Sequence, residues 1–354
     1  MRKENDMERK LASIQKIAAI TPIADADRIE LAHVLGWQCV AKKGDFKEGD
    51  LCIYIEVDAF LPMKNQYAFL ASTSYRKNPY MGEGYRIRTQ RMRGEISQGL
   101  LLPLSVLPDS VPHEIGTDVT DILEIRKWEV PEAATSGGTV IGDMPFGTPK
   151  TDETRVQSAP ELLAEFAAVD EYYISTKMDG TSMTAVWKDG ILHVCGRNCE
   201  YKDDEKCDMW KLVHRLRLPD TLAEKYPDRN IVIQGEFCGE GIQKNRLKLK
   251  EPHWYIFTML NAETMRRIPL AEMMEIAENL NLETVSVEET GTGTEFHEKY
   301  STVESLLERA KGTYPAGTLK EGIVIRPTVP VYSPALRGPL SMKILNNDFL
   351  VKEK

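Results

Sequence analysis

Long apolar runs are absent from this 354-residue chain, and that absence does the first sorting. No stretch reaches the roughly 18 apolar residues of a membrane helix. The first residues, Met1-Arg2-Lys3-Glu4-Asn5-Asp6, carry no apolar leader core, so neither a membrane-spanning nor a secreted protein is expected. Cysteine is scarce too. Six cysteines are too few for a disulfide scaffold, and they fit a reducing, cytoplasmic setting, or the nucleus in a eukaryote. Cys195, Cys199 and Cys207 stand closest together, but their spacing matches no common zinc pattern and reads as buried or free thiols. An excess of positive charge is also missing: 45 Lys and Arg face 54 Asp and Glu, a net charge of −9. That excludes a protein coated in basic charge, so any nucleic-acid contact must come from local patches. Internal repeats are absent.

What is present suits a folded chain of two domains. The composition is 42% hydrophobic and 28% charged, enough apolar material for sizeable cores. Residues 11–20, 29–34, 37–41 and 51–57 read as short β-prone strands separated by turns, which predicts a small β-barrel over residues 1–128. Asp25 and Asp27, in the loop after the first strand, are explained by turn formation. Residues 85–94 read as a charged strand in which Arg86, Arg88, Arg91 and Arg93 interleave with Tyr85, Ile87, Thr89 and Met92. Alternation would gather Arg86 and Arg88 on one face, with Arg91 and Arg93 following after a slip in register. Either they keep an edge strand soluble, or they contact a phosphate backbone. Residues 129–148, with Thr135-Ser136-Gly137-Gly138-Thr139, have the composition of a linker. Beyond it, residues 149–354 form a second, α+β domain, opening with an amphipathic helix over residues 158–169.

The second domain is organised around Ser175-Thr176-Lys177-Met178-Asp179-Gly180-Thr181-Ser182, with apolar strands on either side. A lysine in a glycine-closed turn, with an acid two residues on, is well placed to act as a nucleophilic amine. Alone the signal is weak, because K-x-D-G arises by chance in roughly one chain in ten of this length. Five later strands each deliver a polar or aromatic group: Arg197, Glu236, Phe257, Glu321 and Lys343. Each has an ordinary explanation, as surface charge, a snorkelling lysine or a core ring. Together they have the inventory for nucleotidyl transfer: an attacking amine, metal-holding carboxylates, phosphate-neutralising cations and a base-stacking ring.

The order of these groups resembles that of the covalent nucleotidyltransferases, the superfamily of polynucleotide ligases and mRNA capping enzymes. Lys177-Met178-Asp179-Gly180 is similar to motif I, and Arg197 falls where the ribose-contacting arginine is found. Gly235-Glu236 resembles motif III, residues 254–260 motif IIIa, Glu321-Gly322-Ile323-Val324-Ile325 motif IV and Lys343 motif V. In the first half, Ile20-Thr21-Pro22-Ile23-Ala24-Asp25-Ala26-Asp27-Arg28-Ile29-Glu30, Gly36-Trp37 and Gly94-Glu95-Ile96-Ser97-Gln98-Gly99-Leu100-Leu101-Leu102-Pro103 resemble the OB domain of the fifth RNA ligase family, typified by Deinococcus and Naegleria enzymes. Residues 150–157 are similar to a segment of that family too, and make Arg155 a candidate RNA contact. One departure stands out. Many ligases carry Lys-x-Lys in motif V, and here Ser341 occupies the first lysine position.

The resemblance implies an OB-like β-barrel followed by an ATP-grasp-like adenylation domain, and an ATP-dependent RNA ligase joining 3′-hydroxyl and 5′-phosphate ends through lysyl-AMP and RNA-adenylate. It implies Lys177 as nucleophile and Lys343 as the cation on the α-phosphate. Asp179, Glu236 and Glu321 would hold hydrated Mg²⁺ or Mn²⁺, Arg197 would contact ribose or the incoming 5′-phosphate, and Phe257 would stack on adenine. Arg86, Arg88, Arg91, Arg93 and Arg155 are the candidate RNA contacts. A monomer acting on RNA, nicked duplexes included, is expected. A free lysine is almost wholly protonated at neutral pH, so the site is expected to favour the neutral amine, with metal and Lys343 opposing the positive charge. A DNA ligase, a guanylyltransferase and a non-catalytic OB-fold RNA-binding protein are the rivals. The short stretch after Lys343 counts against a capping enzyme, in which the OB domain follows the catalytic one.

Overall fold

The structure, a computed structural model, describes residues 9–129 and 138–352. It divides into a unit of residues 1–130 and a second of residues 131–353. In the first, Ala12–Lys16, Leu51–Ile55 and Leu100–Leu102 form an antiparallel sheet with Leu51–Ile55 at its centre. Ala19–Pro22, Ile29–Val34 and Trp37–Lys42 form a meander. The central strand is buried on both faces, as its unbroken apolar run Leu-Cys-Ile-Tyr-Ile requires. Ile53 and Ile55 join Ile14, Leu61 and Ile87 in one core, while Cys52 and Tyr54 join Trp37 in another. The single strand expected over residues 11–20 is two. Ile17 exchanges backbone bonds with Gly49 and Asp50, and Ala18 bonds instead to His33, so the chain changes sheet there. Such a corner is how a short-stranded sheet curls into a barrel.

The predicted arginine strand is also broken. Gly82–Arg86 ends before Gln90–Met92 begins, and the latter pairs with Glu95–Ser97 across a two-residue turn. Arg93 and Gly94 make that turn with φ of 50° and 88°, the left-handed conformation that tight hairpins demand. Alternation therefore does not gather the arginines on one strand face. Arg86 is committed to Asp58 at 2.8 Å, with its guanidinium 5.1 Å from the Trp128 ring centre. Arg91 donates to the Gly94 carbonyl.

A short two-stranded pair, Tyr332–Ser333 with Gly338–Pro339, and two large sheets are described in the second unit. One runs Val140–Asp143, Cys199–Tyr201, Ile191–Cys195, Thr181–Lys188, Ile231–Cys238, His253–Asn261. The other runs Val287–Thr292, Glu171–Lys177, Gly322–Pro327, Met342–Leu345. The six-stranded sheet packs on the helices Asp208–Arg215, Leu218–Lys225 and Leu270–Asn279 through Trp187, Ile233, Leu212 and Met273. The four-stranded sheet packs on Leu162–Ala167, Gly293–Lys299 and Val303–Arg309 through Phe166, Phe296, Leu306 and Ile344. The helix expected over residues 158–169 is shorter. A 3-10 turn, Val156–Ser158, precedes it, and Pro160 delays its start to Leu162. Val140–Asp143, expected in the linker, is an edge strand paired with Cys199–Tyr201, because Val140 and Ile141 supply enough β-prone chain among the glycines. The remaining linker residues 130–137, Thr135-Ser136-Gly137 among them, lie outside the described residues.

Gly322 sits between Lys177 and Leu345 in the four-stranded sheet, at φ 155°. A Cβ there would lie 2.1 Å from the Ile344 carbonyl oxygen. Gly322→Ala should therefore push Met342–Leu345 out of register, lower the melting temperature by several degrees and weaken nucleotide-dependent labelling. Thermal unfolding followed by circular dichroism checks the first effect.

Candidate active site

Lys177 ends a strand of the four-stranded sheet, and Thr181 begins one of the six-stranded sheet, so the turn Met178-Asp179-Gly180 carries the chain from one to the other. Gly180 is required there. A Cβ would lie 2.4 Å from the Phe237 carbonyl oxygen and 2.7 Å from the Cys238 sulfur. Its amide donates to Glu236 Oε1 at 3.2 Å, which fixes that carboxylate against the turn. Met178 is buried beside Cys238, Val285 and Tyr314 and anchors the turn from below.

Lys177 Nζ lies 2.9 Å from Glu321 Oε2, with only 22% of the lysine side chain and 18% of the glutamate exposed. The ladder register that pairs Lys177 with Gly322 brings the two chains together. Tyr314 locks the pair from its backbone side: its hydroxyl donates to the Lys177 carbonyl at 2.7 Å and accepts from the Glu321 amide at 3.1 Å. The chain neighbours of the pair are tied as well. Thr176 Oγ1 and Lys320 Nζ both donate to Glu288, at 2.8 and 2.7 Å, and Arg309 adds a third bond. Lys320 is 6% exposed, so this carboxylate matches a charge the fold has buried.

Electrostatics run against the expected neutral amine. Burial disfavours the Lys177 ammonium, but the fields of Glu321, Glu236 and Asp179 outweigh it and raise the pKa well above the ordinary lysine range. Burial pushes Glu236 up to about 7; Lys177 pulls the other way, and Glu321 and Asp179 reinforce the rise. Lys177 thus rests as an ammonium clamped by acid. Asp179 has its own cation, Arg246, at 2.6 Å, and that guanidinium lies 4.1 Å from the Phe349 ring centre.

Pairing places Ser175, Val324 and Lys343 abreast, with Lys177, Gly322 and Leu345 abreast two residues further on. Side chains two apart on a strand share a face, so Lys177 and Lys343 project from the same side of this sheet. Arg326 and Tyr173 belong to that face too. Arg326 Nη1 donates to the Phe257 carbonyl at 2.9 Å, and its Cζ lies 5.5 Å from the Phe257 ring centre. Arg197 forms a two-point ion pair with Asp152, at 2.7 and 2.8 Å, roughly half exposed and so worth at most about 1 kcal/mol.

Residues 149–155 knit these groups together. The Pro149 carbonyl accepts from Gln234, Thr151 bonds Ser182 at 2.8 Å, Asp152 holds Arg197, and the Thr154 carbonyl accepts from the Lys343 amide. Arg155 makes a parallel bridge beside Lys343. Glu153, its side chain 8% exposed, accepts from Arg326 at 2.6 Å and from Arg267 at 3.3 Å, and Ser341 completes its shell.

Known proteins place this arrangement. Residues 11–104 match an OB-fold domain family and residues 170–343 an RNA ligase family. No curated protein sequence matches the chain. Among solved structures, an apo variant of Naegleria gruberi RNA ligase is 34% identical with a TM-score of 0.86, covering 98% of each chain. A variant of that enzyme with ATP and Mn is also 34% identical, TM-score 0.86, over 98% of this chain and 99% of that one. Another, with AMP and Mn, is 33% identical, TM-score 0.87, over 98% and 99%. The chain belongs to the RNA ligase family with an N-terminal OB-fold domain.

For an RNA ligase the carboxylate geometry matters. Among the described residues, no three His, Cys, Asp or Glu side chains stand close enough to ligate one ion. Glu321 is held by Lys177, Asp179 by Arg246 and Glu236 by the Gly180 amide. Oxygen donors spread this way, with burial and then their mutual repulsion raising Glu236, fit a hydrated divalent cation held through its waters. Among the described residues, no helix of this RNA ligase is long and apolar enough to cross a membrane. Sequence reading missed Tyr314, Glu288, Arg246, Glu153 and Arg326. Of these, only Arg326 carried a signal, as the charged residue leaving an apolar strand.

Glu153 supplies a pH test. Burial acts to raise its pKa, yet Arg326 and Arg267, with the Ser341 hydroxyl, bring it down to about 2 from a reference of 4.5. A carboxyl depressed in the folded state stabilises above its unfolded pKa and loses that contribution as pH falls toward the folded value. Urea unfolding of the wild type should therefore lose about 3 kcal/mol between pH 4.5 and 2 from this group. Glu153→Gln should lose about 3 to 5 kcal/mol at pH 7, because two buried arginines are left without their acid, and should show a shallower acid limb.

Proposed function

We propose that the protein is an ATP-dependent RNA ligase that seals 3′-hydroxyl and 5′-phosphate RNA ends, nicked duplexes included, in RNA repair. The observation that carries this is the buried Lys177–Glu321 pair within the fields of Asp179 and Glu236, on a chain similar over almost its full length to an RNA ligase bound to ATP, AMP and Mn. Lys177 Nζ attacks the α-phosphorus of ATP. The N–P bond forms as the bond to the β-phosphate oxygen breaks, and pyrophosphate leaves with the electron pair. Glu321, the acceptor 2.9 Å away, takes the ammonium proton of Lys177 to free the attacking lone pair, and the second nitrogen proton leaves with pyrophosphate. AMP then moves from Lys177 to an RNA 5′-phosphate, and a 3′-hydroxyl displaces it to close the phosphodiester.

Lys343, on the same sheet face as Lys177, takes the α-phosphate oxygens and stabilises their charge as it develops. Phe257, braced by Arg326, stacks on adenine. Arg197 exchanges Asp152 for ribose or the incoming 5′-phosphate. A divalent ion, Mg²⁺ or Mn²⁺, held through waters by Asp179, Glu236 and Glu321, supplies neutralising charge for the triphosphate and weakens the hold of Lys177 on its proton. Arg88, Arg91, Arg93 and Arg155 remain proposed RNA contacts, with Arg86 the least available because of Asp58 and Trp128. A monomer in a reducing cytoplasm, or a nucleus, completes the reading; the small number of cysteines supports the reducing compartment.

Lys177→Ala or Lys177→Met should abolish transfer of label from α-labelled ATP to the protein, and acid-stable labelling of either variant would overturn the assignment. Offered ATP and GTP separately, the wild type should take label only from ATP; labelling from GTP favours a guanylyltransferase. A chase with nicked duplexes should join RNA 3′-ends. Sealing of all-DNA nicks at equal rate favours a DNA ligase, and no labelling at all favours a non-catalytic RNA-binding protein.

A further inference from the structure

We infer that the loop of residues 241–250 is a docking surface for the phosphodiester backbone of the RNA strand whose 5′ end receives AMP. The inference rests on the RNA ligase reading and adds a surface to it. Lys244, Arg246, Lys248 and Lys250 alternate through this loop with no acid among them, in a chain whose net charge is −9. The intervening Leu247 and Leu249 are partly buried against the apolar cluster of Met178, Cys238, Val285 and Tyr314, directly beneath the nucleophile turn. With the leucines turned in, Lys244, Lys248 and Lys250 are exposed. The flanking acids are Glu240, which is exposed, and Glu251, which is paired with Arg215.

The loop is held stiffly in this form. Gln243, Asn245 and Lys248 all have positive φ, at 49°, 41° and 54°, a conformation side-chain-bearing residues adopt only when their surroundings enforce it. The Asn245 amide group bonds both the carbonyl and the amide of Leu249, at 2.8 and 3.0 Å, and Thr318 donates to the Arg246 carbonyl. Lys248 Nζ reaches the Ala316 carbonyl at 3.1 Å. Arg246 runs from the loop to Asp179, two residues from Lys177. A rigid, cationic ridge whose base is the wall of the nucleophile site presents charge where a polyanion must lie for its terminal phosphate to meet lysyl-AMP. Lysines placed singly and outward neutralise phosphates without reading bases, which suits an enzyme that acts on strand ends.

The experiment uses the full chain with Lys244, Lys248 and Lys250 all changed to Gln, leaving Arg246 in place. Labelling by ATP should remain within twofold of wild type, which also reports that the variant is folded. Binding of a 5′-phosphorylated nicked RNA duplex should weaken about tenfold or more at 0.1 M salt, and the slope of log affinity against log salt should fall by about 2 to 3. Single substitutions should each lower it by about one. Unchanged affinity and slope would overturn the inference, as would a shift confined to the ATP concentration needed for labelling, which would assign the loop to the triphosphate. Failure of the wild type itself to take label would instead remove the ligase reading.

Discussion

One ammonium shared among three carboxylates governs the second domain. Lys177 is paired with Glu321 and sits in the fields of Glu236 and Asp179, which outweigh the pull of burial toward the neutral amine. Burial, reinforced by Glu321 and Asp179 and opposed by Lys177, pushes Glu236 up to about 7, and Asp179 pairs with Arg246. A site with surplus negative charge resists its own nucleophile: the same carboxylates that locate the amine keep it protonated. Any cation or phosphate brought beside Lys177 would alter that balance directly.

Holding such a cluster requires bracing on every side. Tyr314 clamps the backbone of Lys177 to that of Glu321, Glu288 ties Thr176 to Lys320, and Gly180 lets the turn press against Phe237 and Cys238. Residues 149–155 act as a strap, touching Ser182, Gln234, Arg197, Arg326 and Lys343 in turn. Ser341 bonds that strap through Glu153. Where the resemblance leads one to expect the first motif V lysine, this chain places a hydroxyl that donates to Glu153, the acid shared by the buried Arg326 and Arg267. The departure is thus matched to the local charge.

Much of the site was legible because each functional group ends or lines an apolar strand. Lys177, Glu236, Phe257 and Lys343 lie in strands whose β-branched and aromatic content announces them, and Glu321 directly precedes one. Tyr314, Arg246 and Glu153 come from irregular segments, where no periodicity marks a side chain as inward. Glu288 lies in a strand whose composition is acidic rather than apolar. Residues 85–94 misled for a local reason: Arg-Gly lacks the Asn-Gly signature of a tight hairpin, yet Arg93 and Gly94 adopt its backbone. The strand Val140–Asp143 was hidden by neighbouring glycines, and only its pairing with Cys199–Tyr201 defines it.

The turn at residues 178–180 has a further consequence. Lys177, Glu321 and Lys343 are borne on or beside the four-stranded sheet, whereas Glu236 and Phe257 are borne on the six-stranded one. The nucleophile and one of its restraining acids therefore ride on separate slabs joined by a three-residue crossing. Any change in the spacing of those slabs alters the field at Nζ while both hydrogen-bond ladders stay intact. The field at Nζ of Lys177 therefore depends on the spacing of two sheets as well as on the bonds within each.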